Sequence, residues 1–259
     1  MEWRVRQAVE TLGTFMNLPS GTVTFLFTDI QGSTVRWERY REAMRVAVQR
    51  HDALVREAVQ THGGVVFKTV GDELCAAFSN ALDAIAAALA AQRGLHAADF
   101  SAVGGLSSRM GIHAGTVQAS DGDYLGPPLN RVARLMALAH GEQIVLSRVV
   151  ADLVDGELPP DTSLRDLGPH RLEGIASAEQ VYQLVAPDLR SGFPPLRAGG
   201  ATPGNLPVSV ASLVGRSAEV AEIEQLLDAS RLITIVGSGG VGKSSIALHV
   251  AREKRSQYR

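Results

Sequence analysis

The chain has 259 residues, 45% of them hydrophobic, and a formal net charge of −2 with neither sign strongly clustered. That is the composition of a soluble globular protein of one large domain or one and a half ordinary ones, and it argues against electrostatic binding to nucleic acid or to an anionic membrane. The single cysteine, Cys75, lies in the apolar stretch LCAAF; a buried thiol and no intrachain disulfide are expected, which suits a reducing cytoplasm.

Residues 1–17 form an N-terminal extension that carries charges but no continuous apolar stretch or small-residue cleavage site, so a secretory signal is not expected. Either Met16 is the natural start or the first fifteen residues form a loosely attached helix. TVTFLF reads as a buried strand ending at Thr28 and Asp29. After QGST, apolar residues recur at helical spacing from Trp37 to Ala58, which predicts one helix from Ser33 to about Gln60, terminated by Gly63-Gly64. VVFKTVGDELCAAF reads as two short strands joined by a tight turn at Val70-Gly71-Asp72. The Ala-rich run ALDAIAAALAAQRGL contains Asp83 and Arg93 and is too short and too polar to span a membrane, so it is read as a core helix. SSRMGIHAGTVQA is a further strand, GDYLGPP a turn-rich loop, LNRVARLMALAH a helix stopped by Gly141, and QIVLS and VYQLVA late strands. His113, in GIHAG, is expected in the core or at an interface, because no partner ligands cluster with it.

Strand, helix, two strands, helix, strand is the ferredoxin-like α+β order, one sheet with helices packed on one face, and it accounts for residues 18–187. Residues 188–208 are rich in Pro and Gly without periodicity and are predicted to be a linker. In residues 209–259, SLVGRSAEVAEIEQLLDAS predicts a loop and an amphipathic helix, and RLITIVG a buried strand. GSGGVGKSS then fits the phosphate-cradling pattern G-x-x-x-x-G-K-[ST], with Gly237, Gly242, Lys243 and Ser244 in place and a helix beginning near Lys243. A P-loop NTPase needs several more parallel strands and a second Mg²⁺-binding carboxylate, whereas fifteen residues follow Ser244. A partial, vestigial P-loop α/β unit without hydrolysis is therefore expected.

Asp29 ends an otherwise apolar strand and Asp72 sits in the hairpin turn. Either alone is ordinary at such a position. Together, on neighbouring sheet edges and beside Gly32-Ser33-Thr34 at a helix start, they make a reasonable site for Mg²⁺ and a polyphosphate. Of the 25 basic residues only Lys68, Lys243 and Lys254 are lysines, so those positions select a compact rotatable donor over a planar fork.

FTDIQGST, FKTVGDE and DYLGPPLNRVARL together resemble the catalytic domain of class III adenylate and guanylate cyclases, from about Leu18 to Ala186. LVGR ahead of a helix and a P-loop resembles the start of a STAND-type NTPase module, as in bacterial regulators that join a cyclase domain to such a module and often to a helix-turn-helix. The cyclase resemblance implies that Asp29 and Asp72 hold two Mg²⁺ or Mn²⁺ ions with the Ile30 carbonyl as a further ligand. It implies that Lys68 and Asp123 read the purine, that Asn130 and Arg134, spaced N-x-x-x-R on one helical face, stabilise the transition state, and that Gly32, Ser33, Thr34 and Arg109 serve the rest of the substrate. A Lys donor and an Asp acceptor complement adenine, whereas guanine reverses both positions, so ATP is the expected substrate and cyclic AMP with pyrophosphate the products. The resemblance further implies a cytoplasmic homodimer whose chains share each site, one giving the metal aspartates and the other the base-reading and transition-state residues. A separate NTPase or transcriptional regulator is a candidate further partner; direct nucleic-acid binding and membrane association are not expected. The pattern departs at HRLEGI, where the family commonly has Leu-Lys-Gly and this chain has Glu173, a carboxylate facing phosphate. Arg171 or Arg109 is available to compensate. The alternative to an active cyclase is a catalytically weak, cyclase-like regulatory module that binds nucleotide or partners.

Overall fold

A computed structural model describes residues 18–120, 122–175, 177–197, 216–230, 233–236 and 242–254. They belong to two compact units, Met1–Ala201 and Thr202–Arg259. The first unit begins with β1 (Gly21–Ile30), α1 (Ser33–Arg39), α2 (Arg41–Thr61), β2 (Val65–Val70), β3 (Glu73–Phe78) and α3 (Ala81–Ala97). It continues through β4 (Ser108–Val117), the short β5 (Ala119–Ser120) and β6 (Asp123–Tyr124), α4 (Pro127–Leu138), β7 (Ile144–Ser147), α5 (Arg148–Leu153), β8 (Ser163–Arg171) and β9 (Ala178–Val185).

Seven strands form one sheet in the order β2-β3-β1-β4-β7-β9-β8, and its first four reproduce the ferredoxin-like arrangement. Neighbours are antiparallel except β4 and β7, which run parallel. The central strand β1 is buried on both sides. Leu26 and Ile30 join Leu74, Ile112 and the apolar faces of α2, α3 and α5, while Val23, Phe25 and Phe27 join Cys75, Tyr124 and the α4 residues Val132 and Met136. Helices therefore cover both faces, not one as the element order suggests. The physical reason is in the strand itself, since side chains alternate across a sheet and β1 offers apolar groups at both parities.

Three further details depart from the sequence expectation. The predicted helix from Ser33 breaks at Tyr40 (φ −132°, ψ 43°), because α1 has no buried residue and is tied instead by Arg36, whose Nε donates to Gly105 O at 2.9 Å and Nη1 to Gln31 O at 2.8 Å. The turn-rich loop contains β6, which pairs antiparallel with β5 just ahead of it. Residues 188–197, expected as linker, are fastened to the first unit: Arg93 grips Asp188 through two hydrogen bonds of 2.7 and 3.0 Å, Arg165 donates to Ser191 O at 2.7 Å, and the Arg197 amide donates to Leu138 O at 3.0 Å. Phe193 stacks on His140 with centroids 6.3 Å apart.

The α4 helix lies unusually close on β4. A Cβ on Gly111 would come within 2.8 Å of the Met136 backbone nitrogen, and one on Gly115 within 2.7 Å of the Pro128 ring. Between these glycines, His113 is buried and shares a 2.8 Å hydrogen bond between Nδ1 and Ser147 Oγ. In the second unit, α6 (Ser217–Ala229) and α7 (Lys243–Glu253) are helical, whereas residues 233–236, expected within a strand, carry no regular structure.

Gly111→Ala would collide with the Met136 backbone of α4, and it is expected to cost about 1–3 kcal/mol of stability, read as a lowered urea midpoint. His113 gives a pH signature. Burial, then the nearby Arg131 charge, lowers its pKa from 6.5 to about 4. Because the unfolded chain takes up that proton first, the stability present above pH 6.5 falls between pH 6.5 and 4 by up to about 3 kcal/mol. Urea unfolding across that range should show a shallower loss in His113→Gln.

Candidate active site

Alternation along β1 puts Asp29 on the α4 side of the sheet, past Phe25 and Phe27. Its register partner on β4 is Arg109, whose Nε and Nη2 both donate to Asp29 Oδ2, at 2.8 and 2.5 Å. Asp72 arrives from the neighbouring hairpin, where Gly71 takes φ +64° at the first central position, a left-handed angle that glycine accommodates without strain. Burial, then the Asp29 charge, pushes the Asp72 carboxyl above the usual carboxylate range, against hydrogen bonds from the Ser33 hydroxyl and the Asp72 and Ile30 amides. Asp72 Oδ2 is buried and has no hydrogen-bond partner among the described residues. Glu73 stands next to the pair, its carboxyl also raised by burial and then by Asp29.

An orphaned buried carboxylate oxygen beside a second carboxylate fits a divalent cation. Among the described residues no group of three or more His, Cys, Asp or Glu side chains converges on one point. Asp29 and Asp72 could therefore hold a cation only as one or two carboxylates, a number that suits Mg²⁺. Gly32, also at positive φ (+70°), starts the seven-residue α1, with Ser33 against Asp72 and Thr34 exposed.

A second group forms on the α4 side. A β-bulge between Val66 and Lys68 lets two successive residues reach β6: Phe67 packs edge-on against Tyr124 at 4.9 Å, and Lys68 Nζ donates to Asp123 Oδ2 at 2.5 Å. The hydrogen bond to Asp123 raises the Lys68 pKa. Burial opposes the Asp123 charge, but the bonds from Lys68 and the Tyr124 amide outweigh it and hold that carboxyl low. A third group lies on α4. Asn130 is exposed near its start, and Arg134 follows one turn later, with its Nη1 3.6 Å from Glu173 Oε2.

The structure thus brings together Asp29, Ile30, Ser33, Asp72 and Arg109, pairs Lys68 with Asp123, and sets Asn130 and Arg134 on one helix. Arg109, expected toward substrate, engages Asp29. Glu73 and Phe67 escaped the sequence reading. Glu73 follows Asp72 directly, and strand alternation from Cys75 places it on the Asp29 side; Phe67 shows only once the bulge is known. Gly242, Lys243 and Ser244 stand at the start of α7, and Gly237 lies outside the described residues. No described helix is long and apolar enough to cross a membrane.

A ferredoxin-like core with paired carboxylates at the end of its central strand, and an Asn and an Arg one turn apart on the facing helix, is the framework of a nucleotidyl cyclase domain. Residues 16–186 match the adenylate and guanylate cyclase catalytic domain, and the chain belongs to that family. The Mycobacterium tuberculosis protein Rv0891c is 44% identical over 205 residues, 78% of this chain and 70% of its own length. The adenylate cyclase of Neurospora crassa is 28% identical over 222 residues, 64% of this chain and 10% of that protein. A solved adenylate cyclase of Trypanosoma brucei, in its monomeric state, superposes with a TM-score of 0.63 at 25% identity, covering 70% of this chain and 96% of that one.

Because the folded state penalises the Asp72 charge, stability is lost as pH rises from the ordinary carboxylate value through the raised one. Asp72→Asn should therefore raise the melting temperature of the cation-free protein at neutral pH and have no such effect in acid. If the paired carboxylates hold a cation, Mn²⁺ should raise the melting temperature of the parent and not that of this variant, measured by differential scanning fluorimetry.

Proposed function

We propose that this protein is an adenylyl cyclase that converts ATP to 3′,5′-cyclic AMP and pyrophosphate at a site shared by two copies of the chain. The observation that carries the choice of ATP is the contact between Lys68 and Asp123, residues from separate elements whose polar atoms meet at 2.5 Å. A donor beside an acceptor matches adenine N1 and its exocyclic amine. In the reaction the ribose 3′ oxygen attacks the α-phosphorus in line, a new P–O bond forms, the bond to the β-phosphate oxygen breaks, and the hydroxyl proton leaves to solvent or a phosphate oxygen. Two divalent cations held by Asp29, Asp72 and the Ile30 carbonyl would supply positive charge to the attacking and leaving oxygens. Asn130 holds the ribose in attack geometry, and Arg134 presents a guanidinium to the α-phosphoryl oxygens where charge develops. Ser33, with Gly32 and Thr34, orients Asp72 and borders the phosphates, and Arg109 is available to them once a cation takes over Asp29.

Shared sites are supported by exposed apolar residues beside the polar ones: Leu125 (80% exposed) follows the Asp123 hairpin, Val70 (45%) precedes the Asp72 turn, and Val35 (67%) follows Thr34. Such groups favour burial against a second copy. A weak cyclase is the second reading, favoured by the Arg134–Glu173 ion pair.

Purified protein with ATP or GTP and Mn²⁺ should yield cyclic AMP in preference to cyclic GMP, and Asp72→Ala should lower the rate at least about a hundredfold. Mixing Asp29→Ala with Asn130→Ala chains should restore one working site per heterodimer. No product above the Asp72→Ala background would refute the cyclase reading, and failed complementation would refute the shared site.

A further inference from the structure

Glu173 is held where it stands by its surroundings. Its neighbour Leu172 is buried in a cluster with Leu135 and Leu138 of α4, the Ile175 amide closes the turn on Leu172 O at 3.0 Å, and Gly174 takes the left-handed φ of +74° that the turn requires. Leu135 is the residue after Arg134, so the packing that fixes Leu172 also delivers Glu173 to the Arg134 side chain. Both partners are largely withdrawn from water, at 23% and 24% exposure. Arg131, the preceding cation on α4, has its own carboxylate in Glu179 at 2.9 Å. The Arg134–Glu173 contact is an ion pair beyond hydrogen-bond length, 3.6 Å, so it directs the guanidinium without clamping it.

A carboxylate facing the guanidinium that a phosphoryl group needs has two electrostatic effects. It occupies the cation in the absence of substrate, and it repels the incoming phosphates. We propose that Glu173 is a built-in competitor for Arg134, which must surrender the carboxylate before it can engage a phosphate, so that Glu173 sets the affinity of the site for polyphosphate. The inference rests on the assignment of Arg134 to the nucleotide site but not on turnover.

The test is binding of the fluorescent N-methylanthraniloyl derivative of ATP with Mn²⁺ to the full chain, with cyclic-nucleotide formation from ATP followed in parallel. Removing one like charge at a partly buried site should tighten binding about five- to tenfold in Glu173→Gln and in Glu173→Ala. In an Arg134→Ala background only the direct repulsion of phosphate remains, so the same substitutions should tighten binding by a clearly smaller factor, about twofold, since coupled residues reveal themselves by non-additivity. Unchanged or weakened binding in both Glu173 variants overturns the proposal, as does equal tightening with and without Arg134. If affinities shift as expected while no cyclic nucleotide forms, the competitor role stands and the cyclase reading falls.

Discussion

The close crossing of α4 over β4, where Gly111 faces the Met136 backbone and Gly115 faces the Pro128 ring, decides where Asn130 and Arg134 are. A side chain at either glycine would push the helix outward and carry both residues with it. The same crossing explains the neutral histidine between the glycines. His113 lies on a face that the helix seals, so its imidazole is cut off from water and held by Ser147. On the adjacent strand, Phe25 continues this sealed layer to Phe67 and Tyr124, with ring centroids 5.9 and 5.1 Å away. The Lys68–Asp123 pair hangs from that aromatic platform: Lys68 follows Phe67 and Asp123 precedes Tyr124. One packing contact thus governs two of the three polar groups, and rigid elements rather than free loops carry them.

The third group depends on the strand ends. β1 is mostly apolar from Val23 to Phe27 because both its faces are buried, and it turns polar on the α4 side at the half-buried Asp29, while Ile30 stays in the core on the other side. This much was legible from TVTFLFTD, and the turn at Asp72 from VGDE, since both rest on local pattern and turn chemistry. The same apolar run also carried the sign of two-sided burial, which the element order obscured. What escaped the sequence is what pairing and packing decide. Arg109 meets Asp29 through antiparallel register, which no single segment reveals. The helix break at Tyr40 interrupts an apolar period that continues across it. β8 was missed because SLRDLGPHR holds Gly, Pro and charges, as suits a strand at the sheet edge. The fastening of residues 188–197 rests on long-range contacts, a carboxylate and a carbonyl meeting distant Arg side chains and an amide meeting the end of α4, and composition alone reads such a stretch as linker.

Three ion pairs within the chain engage charges of the nucleotide-free site: Asp29 with Arg109, Asp123 with Lys68, Glu173 with Arg134. These pairs differ in what substrate would ask of them. On the proposed function Lys68 and Asp123 read two atoms of one base edge, so their contact can persist while each also faces the ring, and preorganisation favours binding. Arg109 and Arg134 are in another position, because each is held by a carboxylate that a cation or a phosphate would have to replace. For Arg109 the exchange brings its own compensation. Asp29 and Asp72 repel one another, Asp72 keeps an oxygen without a partner among the described residues, and Glu73 adds a further charge, so a divalent cation would relieve a repulsion that Arg109 offsets only in part. Arg134 has no such relief, because releasing Glu173 leaves a carboxylate beside phosphate. On the proposed function the two arginines would therefore divide the electrostatics of binding: a cation would drive the exchange at Arg109, and the substrate would bear the cost of the exchange at Arg134.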